Sequence, residues 1–113
     1  MPPRDQMRKG STEFLILSLL VKRPMYGYEI SQELELRSGG YFEMKEGLLY
    51  PTLHRMKDKG WVSTEWRSVD GRRRKYYELT RSGKAELGEQ AAEWQMFLDQ
   101  LHGLLGGREL WTG

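Results

Sequence analysis

Tyr50, His54, Arg55 and Lys57 put a phenol, an imidazole, a guanidinium and an ammonium within about two turns of one helix. At 100° per residue, Tyr50, His54 and Arg55 fall on one side with Asp58, and Lys57 stands at its edge. Leu49, Thr52, Leu53 and Met56 fall on the other side. Leu49, Leu53 and Met56 are spaced i, i+4, i+7, the stripe that lets a helix lie on a small core. Outward hydrogen-bonding groups of several kinds suit a nucleic acid. An ordinary amphipathic surface helix has the same pattern, so the flanking residues decide. Arg72, Arg73, Arg74 and Lys75 come directly after Asp70-Gly71, a pair that marks a tight hairpin turn. Arginines at a hairpin tip reach phosphates or enter the minor groove, because each guanidinium offers a planar fork of donors. Such binding falls steeply with salt, with a log–log slope of roughly −0.9 per phosphate.

Catalytic chemistry has little to stand on. The two histidines, His54 and His102, lie on different predicted helices, and neither has a partner at metal-ligand spacing. There is no cysteine, which removes disulfides and thiolate metal sites. Gly39-Gly40 is not a phosphate loop, since no Gly-Lys-Ser/Thr follows. No catalytic residue, metal ligand or cofactor is therefore assigned.

The 113 residues fit one domain, with 30% charged and 38% hydrophobic side chains. The longest apolar run, Phe14 to Val21, contains Ser18 and falls short of the roughly 18 residues that suggest a membrane span. Met1 to Arg8 has no apolar signal region, so a cytoplasmic protein is expected. The net charge of +2 is unevenly spread. Residues 43–75 hold nine basic against five acidic side chains, or +4; residues 84–113 hold two against five, or −3. A basic middle suits a polyanion, and the acidic end must serve something else.

The elements that position these groups follow from periodicity and punctuation. A first helix is expected over residues 4–22, with Asp5 and Ser11 as candidate caps and Pro24 bounding its end. Met7, Gly10 and Phe14 share one of its faces; Leu15, Leu19 and Leu20 turn to another, so it expects more than one partner. A second helix runs from Tyr26 to Leu36 and stops at Arg37-Ser38-Gly39-Gly40. Tyr41 to Met44 is expected as a short strand. The third helix, Gly47 to Gly60, either begins near Leu48 or has a kinked first turn, because Pro51 lacks an amide hydrogen. Trp61 to Ser68 and Arg72 to Leu79 form a hairpin. Thr80 caps a last helix to Leu105, and Gly106-Gly107 ends it. The fold class is α+β, mainly α: a winged helix-turn-helix with a long C-terminal dimerisation helix. The division expected is a DNA-binding unit at 1–80, a dimerisation helix at 81–106 and a flexible tail at 107–113, the last holding Trp111.

The motifs resemble the PadR family of bacterial transcription regulators. Glu46-Gly47-Leu48-Leu49-Tyr50-Pro51-Thr52-Leu53-His54-Arg55-Met56 and Gly60-Trp61-Val62 carry the likeness, as do Tyr26-Gly27-Tyr28-Glu29-Ile30 and Gly71 to Thr80 with Gly83. Met56 stands where leucine is usual, and Trp61 where a smaller aliphatic is usual. The resemblance implies a homodimeric, DNA-binding repressor of the small subgroup, in which one C-terminal helix dimerises. It places Tyr50, His54 and Arg55 toward the groove and Arg72 and Arg73 on the wing, with Tyr76 and Tyr77 packing the wing to the body. The partner implied is double-stranded DNA carrying a pseudo-palindromic operator.

On the last helix, Trp94, Leu98, Leu101 and Leu105 recur at near-heptad spacing, and Leu87 and Ala91 extend the stripe. A small domain cannot bury so long a seam, so a second chain is expected over these residues and Phe14. A multidrug-responsive branch of the small subgroup has a tryptophan eleven residues past the glycine that matches Gly83, as Trp94 is here. There, paired indoles sandwich flat aromatic compounds. The resemblance thus implies a flat aromatic ligand between two Trp94 side chains, walled by Met7, Gly10, Phe14 and Leu98. The competing reading is a winged-helix module for protein or RNA contact, without ligand response.

Overall fold

The computed structural model describes residues 10–106. They form α1 (Thr12–Leu20), β1 (Met25–Tyr26), α2 (Gly27–Arg37), α3 (Glu46–Asp58), β2 (Val62–Val69), β3 (Arg72–Leu79) and α4 (Arg81–Leu104). The strands make one antiparallel sheet in the order β1-β3-β2. None of the described helices is long and apolar enough to cross a membrane. The expected start of the first helix, with Asp5 and Met7, and the tail with Trp111 lie outside the described residues.

α1 is the hub, as its apolar side chains on several faces require. Ile16, Leu17, Leu19 and Leu20 are all buried, and the helix touches α2, α3, α4 and β3. Ile30 and Leu34 of α2, and Leu49, Leu53 and Met56 of α3, close the core from the other side. The sheet adds Met25, Val62, Tyr77 and Leu79.

Two expectations about the backbone need correction. Tyr41 to Met44 forms no strand. The place beside β3 is taken by Met25–Tyr26, which pairs with Tyr77 and Tyr76. The 41–44 segment is held otherwise: the Phe42 amide donates to Ser38 Oγ at 2.9 Å, and the Tyr41 and Phe42 rings meet edge to face. The second correction concerns α3, which begins at Glu46 with Pro51 as its sixth residue. The Lys45 carbonyl accepts from the amides of both Leu48 and Leu49, at 2.9 and 2.8 Å, so the first turn is already wound before the proline withdraws its donor.

The hairpin turn is of the primed kind. Asp70 and Gly71 both take positive φ, 53° and 76°, which matches the twist of the flanking strands. At the other end of β3, Thr80 locks three elements together. Its hydroxyl donates to the Gly60 carbonyl at 2.6 Å and accepts from the Gly83 amide at 3.0 Å. α4 then runs for 24 residues, of which only Gly83 is buried. Met96, Phe97, Leu98 and Leu104 are left exposed on it.

Candidate nucleic-acid interface

α3 is fixed by its buried side, and the fixing continues into polar groups. Thr52 is wholly buried, yet its hydroxyl donates to the Leu48 carbonyl at 2.7 Å and accepts from Arg55 Nη2 at 3.2 Å. One end of the Arg55 guanidinium is thereby tethered to its own helix, while the residue as a whole stays exposed. His54 is exposed and lies 3.4 Å from Asp58 on the next turn. Lys57 projects into solvent. Lys59 is committed to the fold: its ammonium sits 3.2 Å from Glu13 of α1 and 4.4 Å above the Trp61 ring.

Tyr50 has a second role that its helical position does not reveal. It is 43% exposed, but its phenol lies over Gly27, the first residue of α2. A Cβ at Gly27 would come within 2.7 Å of the Tyr50 ring and closer still to its hydroxyl. The two helices of the helix-turn-helix therefore meet where one has no side chain. Gly27→Ala is expected to cost about 1–3 kcal/mol by overpacking and to reduce DNA affinity with it. Thermal unfolding and DNA titration check this, and Tyr50→Leu in the same chain should restore part of the stability.

The burial of Tyr77 pushes its phenol above the ordinary tyrosine value of 10.0, and the nearby Tyr50 adds to the rise. In this direction the unfolded chain ionises first. Stability is complete below pH about 10 and declines as the pH rises through the folded-state value. Denaturant midpoints measured across the alkaline range should fall for the native chain and fall less for Tyr77→Phe.

The wing carries its cations on both faces. Direct partners across the ladder share a face, so Val62 with Leu79, Thr64 with Tyr77, Trp66 with Lys75, and Ser68 with Arg73 form the side that runs out from the core. Arg67 with Arg74, and Val69 with Arg72, form the other. The arginines of the tip are thus split, with Arg73 opposite in direction to Arg72 and Arg74. Beyond the core, Trp66 and Lys75 join Tyr28 and Tyr50 along a cleft between the wing and the helices, and Arg74 borders it from the open edge of β3. Trp66 was not among the residues expected at the interface. Its alternation with Val62 and Thr64 carries the signal, since it is the first position on that face past the point where the core ends.

Trp94 neighbours two rings of its own chain. The Phe14 centroid is 6.1 Å away at 25°, and the Phe97 centroid 5.9 Å away at 18°. A groove of ≈ 230 Å³ beside it is lined by Ser11, Phe14, Leu15, Tyr41, Phe42 and Leu98. Gly10 lies on a second, more polar groove with Glu13, Glu86, Gln90, Glu93, Trp94 and Phe97. Met7 is outside the described residues. Of the expected seam, Leu87 packs against the core of its own chain, Leu101 is half-buried, and Ala91, Leu98 and Leu105 are exposed. Among the described residues no three of His, Cys, Asp and Glu gather where they could hold a metal ion.

This arrangement has relatives. Transcriptional regulator Rv3488 of Mycobacterium tuberculosis is 36% identical over 84 residues, 74% of this chain and 76% of that one. The negative transcriptional regulator PadR of Bacillus subtilis is 32% identical over 77 residues, 66% of this chain but 42% of the relative. The structure of a PadR-like transcriptional regulator from Bacillus cereus superposes with a TM-score of 0.80 at 33% identity, covering 91% of this chain and 99% of that one. The family model described as the transcriptional regulator PadR-like family matches residues 16–89, from the middle of α1 through the wing to the first turns of α4. With the helix pair, the basic wing and the long last helix in place, the chain belongs to the PadR-like family of transcriptional regulators.

Proposed function

We propose that the chain is a cytoplasmic, homodimeric repressor whose hold on its DNA operator is relieved by a small flat aromatic compound at the dimer interface. The observation that carries the DNA reading is the division of α3. Leu49, Thr52, Leu53 and Met56 are buried, while His54, Arg55 and Lys57 stand outward beside a wing bearing Arg72, Arg73 and Arg74. In this reading residues 1–80 bind DNA and residues 81–106 dimerise. Two copies of α3 enter successive major grooves of a pseudo-palindromic site, about 34–36 Å apart. Arg55 and Tyr50 give base preference, and the wing supplies sequence-independent affinity.

Dimerisation is supported by the exposed Met96, Phe97, Leu98 and Leu104 on a helix whose only buried residue is Gly83. The ligand reading rests on Trp94 and its grooves. Phe14 already lies within direct ring contact of the indole, so an entering aromatic compound must either displace Phe14 or take another side of Trp94. Such a compound shifts the dimer geometry only by its difference in affinity for the two forms. Titration with flat aromatic dyes should quench tryptophan fluorescence in the native chain and not in Trp94→Ala. Quenching that survives Trp94→Ala removes the ligand reading.

A further inference from the structure

Four of the five basic side chains in the wing rest on aromatic rings. The Arg67 guanidinium lies 4.6 Å from the Tyr76 ring centroid, Arg73 lies 5.0 Å from Trp66, and Arg74 lies 4.3 Å from Tyr26. The Lys75 ammonium is 5.8 Å from Tyr77. Arg72, beside the turn, is the fifth. The register sorts these pairs onto two sides of the ribbon: Arg73 and Lys75 on one, Arg67 and Arg74 on the other. Arg67 and Arg74 are direct cross-strand partners. Like charges placed so are unfavourable in a free sheet, and Glu65, 3.4 Å from Arg67, offsets only part of this at an exposed position.

From this opposition and the two-sided register, we infer that the wing is a two-faced phosphate clamp, with Arg67 and Arg74 forming a second phosphate-binding face. Arg73 and Lys75 meet one backbone of a duplex, and Arg67 and Arg74 meet the other. The rim of the minor groove suits this shape. The groove, about 6 Å wide, is too narrow for the ribbon itself, but phosphates wall it on both sides, so a ribbon standing tip-down over it turns one face toward each strand and its long basic side chains reach the phosphates there. A guanidinium lying over a ring keeps its in-plane donors free, so Tyr26, Tyr76 and Trp66 hold the arginines in place without consuming the hydrogen bonds that phosphate needs. The opposed Arg67–Arg74 pair is relieved when a polyanion arrives. The inference rests on the DNA reading above and adds Arg67 and Lys75 to the contacting residues.

The test is the salt dependence of binding to a duplex recovered from a random pool by the native chain, and to a mixed-sequence duplex of equal length. Removing the cation from one phosphate lowers the log–log slope by about 0.9, so a substitution present in both halves of a dimer should lower it by about twice that. Arg67→Ala and Arg74→Ala are expected to do so on both duplexes, as Arg73→Ala does, while Arg67→Lys retains the native slope. Circular dichroism confirms that each variant folds, and Arg37→Ala on α2 should leave the slope unchanged. If Arg73→Ala lowers the slope and neither Arg67→Ala nor Arg74→Ala does, the second face is wrong and the DNA reading stands. If Arg73→Ala also leaves it unchanged, the wing does not bind phosphate and the clamp is wrong on both faces; failure of the native chain to recover any duplex is the separate result that removes the DNA reading.

Discussion

Leu98→Glu together with Leu101→Glu is expected to yield a folded monomer that binds a two-part operator about a hundred- to ten-thousand-fold more weakly than the native protein. The cause lies in α4. Its apolar side chains are largely exposed, and the two substitutions place charge where a second chain is proposed to sit. Leu98 is exposed and Leu101 half-buried, so neither change opens the core beneath α1. The unfolding midpoint of the isolated chain should therefore move little, apart from the stability that association lends by mass action. Affinity falls because the second α3 no longer binds at the high effective concentration that a linked pair enjoys. Light scattering gives the mass, and anisotropy on full and half operators gives the affinity. The variant should bind both duplexes equally weakly. A native chain that is already monomeric at micromolar concentration would remove the dimer from the account.

Gly83→Ala is the second large effect. Gly83 lies where α4 leaves the Thr80 junction, and its amide is already bonded to the Thr80 hydroxyl. An added Cβ would overlap the Trp61 carbonyl oxygen and come within 3.0 Å of the Trp61 carbonyl carbon and 3.2 Å of Leu79 Cδ2. The obstacle is backbone, and the same Trp61 carbonyl accepts from the Thr80 amide at 3.0 Å, so it cannot swing aside freely. The expected cost is about 3 kcal/mol, near the upper end for overpacking, with a fall in the unfolding midpoint of roughly 10 °C. Gly88, further along α4, has open space where its Cβ would be. Gly88→Ala should instead stabilise the chain by about 0.5–1 kcal/mol, the ordinary helical preference for alanine. The opposite signs of two identical substitutions on one helix separate a packing effect from a propensity effect.

Much of this architecture is legible in the residues because local rules act alone there. The Leu49, Leu53, Met56 stripe needs only helical period, Asp70-Gly71 needs only the sterics of positive φ, and the Thr80 cap needs only one side-chain oxygen. What was not legible depends on competition between distant segments. Met25–Tyr26 and Tyr41–Met44 are both short and aromatic. Only the folded sheet shows that the first takes the edge of β3 and leaves the second to pack as a loop. The start of α3 was ambiguous because a proline in a helix is judged by the carbonyls around it, and these depend on the Lys45 turn. In the site, composition marked Arg72, Arg73 and Arg74 as one basic patch, whereas ladder register divides them between two faces. Phe97 falls off the Leu98–Leu101 seam, yet a local rule reaches it: it stands three residues past Trp94 on α4, and that spacing alone brings the two rings together.

Two copies of α3 are expected to read DNA together, and duplexes selected from a random pool by the native chain should carry the mark of it. Sequencing of the selected pool should show two inverted half-sites whose centres lie about 10–10.5 base pairs apart. Enrichment of a single unpaired half-site, or of no common sequence, would contradict it.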